Sequence, residues 1–382
     1  MPWKEAGPML ERARFIGDYL SGFYSITELA IRYGVSRRTL HKWLARHDVD
    51  GLNGLVDRSR VPLHSPHQTP QSIVDQIVAF RKRFPFMGPR KIIARLTELH
   101  PELDWPAAST VGDILTRAQL VQHRRRRNPP AHPLRARTTA TVPNDLMTID
   151  YKGQFLLRNR RYCYPLTIVD YVSRFILACD AFTSTEYAHT RRSFERVFRT
   201  FGLPRAILSD NGSPFGSPGL GRLSRLSLWW IRLGIGVERI VPGHPEQNGA
   251  HERMHETLKA ETTRPPESTI QRQQVRFDQF VHDFNHERPH EALGQKRPAT
   301  LYRPSTRSYP ESLPPIEYPG HLEIRKVDDR GTIRWKNEKL FLSHTLNGEI
   351  VGLEEIDDGI WSLFYGSTLL ARFDERERKF YG

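Results

Sequence analysis

Two aspartates and a glutamate stand where an apolar run gives way to a turn or a helix. Asp150 closes the run at 146–149, and Asp210 closes the run at 206–208, directly ahead of Asn211-Gly212. Both read as strand ends passing into loops. A further apolar run at 237–241 stops at Pro242-Gly243. Pro245 suits the first position of a helix, and the pattern predicts that helix from there to about Glu261. Glu246 heads a row completed by Ala250, Met254 and Leu258, so it starts the helix near its apolar side. A carboxylate there is costly unless a positive or hydrogen-bonding group compensates it. The plainer alternative is a helix-start glutamate favoured by the helix dipole. Asp150 and Asp210 are separated by 59 residues, and Asp210 and Glu246 by 35. Three converging carboxylates without His or Cys suit Mg²⁺ or Mn²⁺ rather than zinc.

Periodicity supplies the elements that must carry these acids. A first strand ends at Asp150 or runs on to Phe155 and Leu157. Strands follow at 164–169 and 175–182, across a turn at 171–174. A helix over 186–201 turns Phe194, Val197, Phe198 and Phe201 inward. Next come a strand at 203–208, an apolar helix at 223–233 with Trp229 and Trp230 as core residues, and the strand at 237–241. Three strands followed by alternating helices and strands predict a mixed α/β sheet. Asp170 and Asp180 are rival acids, but Asp170 opens a hairpin turn, where aspartate commonly bonds the backbone. Cys163 and Cys179 lie in apolar strands and read as core. Two cysteines build neither a disulfide framework nor a Cys-rich zinc site.

The order and spacing of the acids, with the words around them, resemble a family. These words are DYKG at 150–153, IVDYVSRF at 168–175, SDNG at 209–212, HPEQNG at 244–249 and FNHERPH at 284–290. Together with the 35-residue interval they resemble the D,D-35-E transposases and retroviral integrases. The chain looks like a bacterial insertion-sequence transposase with an integrase-type core. The resemblance covers about 143–302 well and the flanks more loosely. It implies a ribonuclease-H-like core in which Asp150, Asp210 and Glu246 are the catalytic acids and hold two Mg²⁺ (or Mn²⁺) ions. It also favours Asp150 over its rivals as the first acid. The reaction implied is phosphoryl transfer on DNA, with two ions about 3.5–4 Å apart assisting the attacking and leaving oxygens. Water would nick the element end and the freed 3′-hydroxyl would join it to target DNA, without a covalent enzyme intermediate. The partners implied are double-stranded DNA, as terminal inverted repeats and target, and further copies of this chain as a dimer or tetramer on DNA.

Charge points the same way. Lys and Arg number 57 against 43 Asp and Glu, a net +14, which calls for a polyanion or a membrane surface. No long apolar segment and no signal peptide is read, so the expected compartment is the reducing bacterial cytoplasm. The excess is concentrated at 1–140, with 23 basic against 12 acidic residues. A first helix is expected at 11–21, and residues 25–47 read as a helix-turn-helix. Thr27 would cap its first helix, Gly34 would break it and Ser36 would cap the second. Leu40, Trp43 and Leu44 face inward, leaving Arg37, Arg38, His41 and Lys42 on the face such motifs present to the major groove. A Gly/Pro-rich linker (51–70) leads to a second helical unit (71–120) marked by Ile73, Ile77, Val78 and Phe80, with Ser109 as cap of its last helix. The unit reads either as a second DNA reader or as a part that packs on its neighbour. The basic linker at 121–142 carries Arg124, Arg125, Arg126 and Arg127, which could track phosphates.

Beyond the core, 143–302, lie a Pro-rich linker (303–320) and short alternating runs over 321–382. Those runs predict a small all-β barrel of SH3-like type. The fold class expected is therefore multidomain: all-α helix-turn-helix units at 1–50 and 71–120, a central α/β core and a C-terminal barrel. Asn248 and Lys259 are further candidates for phosphate contact on the helix after Glu246, as are His286, Arg288 and His290 on the segment after the last core helix. Solvation or packing is the plainer alternative for each. Two other functions stay open: a metal-dependent nuclease that cuts without joining, and a DNA-binding regulator derived from a transposase.

Overall fold

The computed structural model describes residues 7–58, 68–121, 139–217, 219–240, 248–336, 338–357 and 359–381. The chain divides into two units, Met1–Thr69 and Pro70–Gly382. In the first, α1 (Pro8–Leu20), α2 (Ile26–Arg32) and α3 (Arg37–Asp50) enclose Phe15, Leu29, Leu40, Trp43, Leu44 and Leu55. Ser25, not Thr27, caps α2: its hydroxyl accepts from the Glu28 amide while the Glu28 carboxylate takes the Ser25 amide. The residue just before the first helical one is placed to reach the free amides, and Thr27 already lies inside the helix. Gly34 adopts φ +62° and Ser36 caps α3 through the Thr39 amide, as expected.

The second unit opens with α4 (Gln71–Arg83), α5 (Pro89–Leu99) and α6 (Ala108–Arg117), packed through Ile77, Ile92, Leu96, Val111 and Leu115. Ser109 does not cap α6. The cap position is Ala107, and it makes no side-chain bond. Helix α5 docks on the core through charge: Arg95, with only 9% of its side chain exposed, reaches Glu287 at 2.8 Å and Glu98 at 2.9 Å. Arg297 also bonds Glu98. This helical region therefore packs on its neighbour.

The core sheet contains β1 (Leu146–Tyr151), β2 (Phe155–Leu156), β3 (Tyr162–Asp170), β4 (Ile176–Phe182), β5 (Ala206–Ser209) and β6 (Gly236–Arg239). Its order is β4-β3-β1-β5-β6, with β2 continuing along β3. The β4-β3-β1 meander is antiparallel, and β1-β5-β6 are parallel. Parallel neighbours need crossovers, and these are α7 (Tyr187–Phe201) and α8 (Arg225–Arg232). Alternation along the strands sorts the layers. Met147, Ile149, Leu166 and Ile168 meet Phe194, Phe198, Trp229 and Trp230 on one face. On the other face, Cys163, Val169 and Cys179 meet α9 (Gly249–Thr262) and α10 (Ile270–His282) through Met254, Leu258, Phe277 and Phe280. Both cysteines are buried and unpaired. The chain then turns back through α11 (Pro298–Leu301), and Tyr302 stacks on Phe175 at 4.5 Å.

The C-terminal region is built almost wholly of β-strands, and no closed barrel is found among its described residues. The strands β7 (Glu323–Lys326), β10 (Ile350–Asp357), β11 (Ile360–Tyr365), β12 (Thr368–Asp374) and β13 (Lys379–Tyr381) form one open antiparallel sheet in the order β13-β12-β11-β10-β7. A separate hairpin pairs β8 (Thr332–Trp335) with β9 (Glu338–Phe341). The apolar face of the sheet is covered from two sides. Val351, Leu353, Leu363, Leu370 and Phe373 share a cluster with Ile333 and Trp335 of the hairpin and with Leu223, Leu228 and Ile231. The sheet thus buries itself on α8, whose opposite side carries Trp229 and Trp230 into the core. No helix among the described residues is long and apolar enough to cross a membrane.

Candidate active site

The register of β1 against β5 brings Asp150 and Asp210 level. Leu146 pairs with Ala206, Met147 with Ile207 and Thr148 with Leu208. Two residues past the last pair on each strand stand the two aspartates, on chains that run about 4.8 Å apart in a sheet. Asp150 belongs to β1 itself, opposite Thr167 of β3. Asp210 is the first residue after β5. Its loop is tied down by Asn211, whose amide donates to the Ile240 carbonyl at 2.8 Å. The approach of Gly212 is close: a Cβ there would stand 3.0 Å from Asp210 Oδ2. The base of the loop is clamped by Arg239 of β6. Its guanidinium donates to the Asp210 carbonyl at 3.2 Å, to the Phe215 carbonyl at 2.5 Å, to the Ser227 hydroxyl at 2.6 Å and to the Ser209 hydroxyl.

Burial and mutual repulsion define the electrostatics. Burial first and then the Asp210 charge push the Asp150 carboxyl up to about 7, with Lys152 opposing and Glu252 adding to the rise. Asp210 is also raised by burial, against the Gly212 amide and Arg239. One of its oxygens, Oδ1, is buried with no hydrogen-bond donor. Two neighbouring carboxylates that resist ionising, one with an orphaned oxygen, make an oxygen-donor pair short of positive charge. That donor set fits a hard divalent cation.

Glu246 lies outside the described residues, as do Arg124, Arg125, Arg126 and Arg127. The described helix starts at Gly249, later than the sequence pattern predicts, and the acid of its first turn is Glu252. This glutamate is exposed, and its charge adds to the rise of Asp150. The 35-residue interval points to Glu246; a helix start four residues later than Pro245, at Gly249, puts Glu252 in the first turn. Among the described residues, no group of three or more His, Cys, Asp or Glu side chains is already arranged as ligands.

The rival acids are engaged elsewhere. Asp170 is buried and accepts from the Asn144 amide, the Ser173 amide and the Ser173 hydroxyl at 2.6–2.8 Å. Asp180 pairs with Arg196 and Ser193. Arg37, Arg38, His41 and Lys42 are exposed together on α3. Lys259 is exposed in the last turn of α9, but Asn248 is only 5% exposed at its start, which leaves it little surface for a phosphate. Arg288 and His290 are likewise packed inward, Arg288 on Glu261. A cavity of about 340 Å³ opens between α5, α9 and the 284–292 segment, lined by Lys91, Arg174, Arg253, Arg288, Glu256 and Glu291 among others. Two histidines the sequence reading passed over, His251 and His255, are buried behind Asp150.

Comparisons with known proteins agree with this layout. The integrase core domain family matches residues 140–245 and 233–298. A helix-turn-helix domain family matches 11–62 and a homeodomain-like domain family matches 39–115. A 39.2 kDa protein of insertion element IS476 from Xanthomonas euvesicatoria is 27% identical over 243 residues, covering 62% of this chain and 66% of that protein. The Gag-Pol polyprotein of baboon endogenous virus is 30% identical over 159 residues, covering 42% of this chain and 9% of the polyprotein. The chain thus spans under a tenth of the viral polyprotein and about two thirds of the insertion-element protein. Among solved structures, the simian T-cell lymphotropic virus intasome in complex with a PP2A regulatory subunit covers 77% of this chain and 97% of its own, at 16% identity and a TM-score of 0.37.

Proposed function

We propose that this chain, which carries an integrase core domain behind helix-turn-helix regions, is a DNA transposase that cuts the ends of a mobile element and joins them to target DNA. The observation that carries the reading is the level pair Asp150 and Asp210 at the sheet edge, with a raised Asp150 carboxyl and an orphaned Asp210 oxygen. We take Glu252 rather than Glu246 as the third carboxylate, because its charge reaches Asp150 and it belongs to the first turn of α9. Bound divalent ions, two in the reaction proposed, would supply the positive charge that activates an attacking oxygen and stabilises a leaving one. The chain's own part is to hold Asp150 and Asp210 level on adjacent strands and to fix the Asp210 loop through Arg239. Element ends would be gripped by Arg37, Arg38, His41 and Lys42 on α3, with Lys259 and the basic residues around the cavity beside α9 as further phosphate contacts. Arg124, Arg125, Arg126 and Arg127 keep the same role in this proposal. Assembly of several copies on DNA and an SH3-like character of the C-terminal strands belong to it as well.

The test is to incubate the protein with its own element ends, a plasmid and Mg²⁺. Joined products support the transposase, cleavage without joining supports a nuclease, and binding without any product supports a regulator. Glu252→Gln and Glu246→Gln, assayed side by side, decide the third acid. Loss of both nicking and joining is expected from Glu252→Gln alone; the reverse pattern restores Glu246.

A further inference from the structure

Behind Asp150 lies a buried polar cluster that the proposed reaction does not use. His251 and His255 sit one turn apart on α9, their rings 4.7 Å apart and nearly perpendicular. They face Thr148 of β1 and Thr167 of β3, and all four residues are at most 4% exposed. Thr148 Oγ1 is 2.8 Å from His251 Nδ1. Thr167 Oγ1 is 2.6 Å from His251 Nε2 and 2.7 Å from His255 Nε2. The remaining nitrogen, His255 Nδ1, stands 3.6 Å from Asp150 Oδ2. Thr167 is also the residue directly opposite Asp150 in the ladder, and its hydroxyl lies 3.1 Å from the Asp150 carbonyl.

We infer that His255 is a positioning residue for Asp150, oriented by the chain Thr148–His251–Thr167–His255, and that it sets the affinity of the acid pair for a divalent ion. The inference rests on the metal-dependent reading of the acids. Its direction follows from donor counting. A neutral imidazole has one N–H and one bare nitrogen. If Thr148 donates to His251 Nδ1, then His251 Nε2–H donates to Thr167, Thr167 donates to His255 Nε2, and His255 Nδ1–H is aimed at Asp150. Every ring nitrogen then has a partner. In the opposite arrangement Thr167 donates to the Asp150 carbonyl and accepts from both rings. A bare His255 nitrogen then faces Asp150, which repels it once ionised to hold a cation and leaves it without a donor. At 3.6 Å the last step is an electrostatic contact rather than a formed hydrogen bond, of the kind that tightens when a site is loaded. Fixing the orientation of a ligating carboxylate through such outer partners is worth about 10–100-fold in metal affinity.

The two ends of the ring can be replaced separately. His255→Asn keeps an amide N–H near the Nδ1 position and loses the link to Thr167. His255→Gln keeps a polar atom near Nε2 and loses the donor to Asp150. The measurement is Mn²⁺ binding to the DNA-free full chain by titration calorimetry, beside melting temperature and with Asp150→Asn as control. The expected result is that His255→Asn binds Mn²⁺ within about threefold of wild type, while His255→Gln binds about 10–100-fold more weakly. Equal affinity in both variants and wild type overturns the inference. So does weakening in both that simply follows lost melting temperature, because that is the mark of a helix staple alone. If wild type binds Mn²⁺ no better than Asp150→Asn, the metal reading of the acids fails first and takes this inference with it.

Discussion

Asp150→Asn should make the metal-free protein more stable while abolishing the reaction. Asp150 is lifted from 3.8 to about 7 by burial and by the neighbouring Asp210 charge. At about 1.4 kcal/mol for each pH unit, keeping the carboxylate charged in the fold costs about 4 kcal/mol at pH 8. About 26% of the side chain is exposed, so the realised gain of the amide is expected near 2–3 kcal/mol. The sign with pH follows from proton counting. Between pH 3.8 and about 7 the folded protein binds more protons at this site than the unfolded chain does. Stability contributed by the site therefore falls as pH rises through that window. The advantage of Asp150→Asn should accordingly be largest at pH 8 and shrink by pH 5. Urea unfolding of both proteins at pH 5 and pH 8, without and with Mg²⁺, measures it. Adding Mg²⁺ should recover wild type by about 2.7 kcal/mol at a hundredfold excess over its dissociation constant, and leave the variant unmoved. A variant no more stable than wild type at pH 8, or an advantage that grows toward pH 5, refutes the electrostatic account of the acid pair.

Three further outcomes are expected. Arg239→Met should cost about 3 kcal/mol in urea unfolding, because it strips donors from the buried Asp210 and Phe215 carbonyls; a cost under 1 kcal/mol removes the clamp from the argument. Lys91 is pushed down to about 8 by burial and by Arg288, so the folded protein binds fewer protons there than the unfolded chain between pH 8 and 10.5. Lys91→Met should thus gain about 1 kcal/mol at pH 7, after allowance for partial exposure, and lose that gain as pH rises through 8 toward 10.5; a melting-temperature series reads it. DNA-end binding by full-length protein should weaken steeply with salt, by a log–log slope of about −0.9 per phosphate engaged, and Arg37→Ala should flatten that slope by about one; an unchanged slope removes Arg37 from the contact.

The core was legible because its strands and helices are long runs of unambiguous period. Phe194 and Phe198 on α7, Trp230 on α8 and the level aspartates all lie where alternation puts them. The third acid is the least legible of the three: Glu246 falls outside the described residues, and the described helix, which begins at Gly249, has Glu252 in its first turn. An interval counted in residues cannot register where a helix begins. His251 and His255 were passed over because an i, i+4 pair of imidazoles reads as a polar face. Only β1 and β3, supplied by a segment about a hundred residues earlier, turn that face into an interior. Thr27 and Ser109 each missed the cap by two residues, the usual scale of error at helix ends. The C-terminal strands were found one by one, but part of what covers them was not legible, because it comes from α8, far back in the sequence.

That shared helix decides how the chain comes apart. α8 presents Trp229 and Trp230 to one cluster and Leu228 and Ile231 to the other. Neither cluster can lose the helix without opening, so the sheet after residue 320 and the core before it should melt in one cooperative step, although a proline-rich tether joins them. The boundary drawn along the sequence at 303–320 is a seam in the covalent chain only. Cutting there would leave an apolar stripe of α8 facing water and invite aggregation. Exchange of the C-terminal sheet between relatives would succeed only if the outward side of this one helix travelled with it.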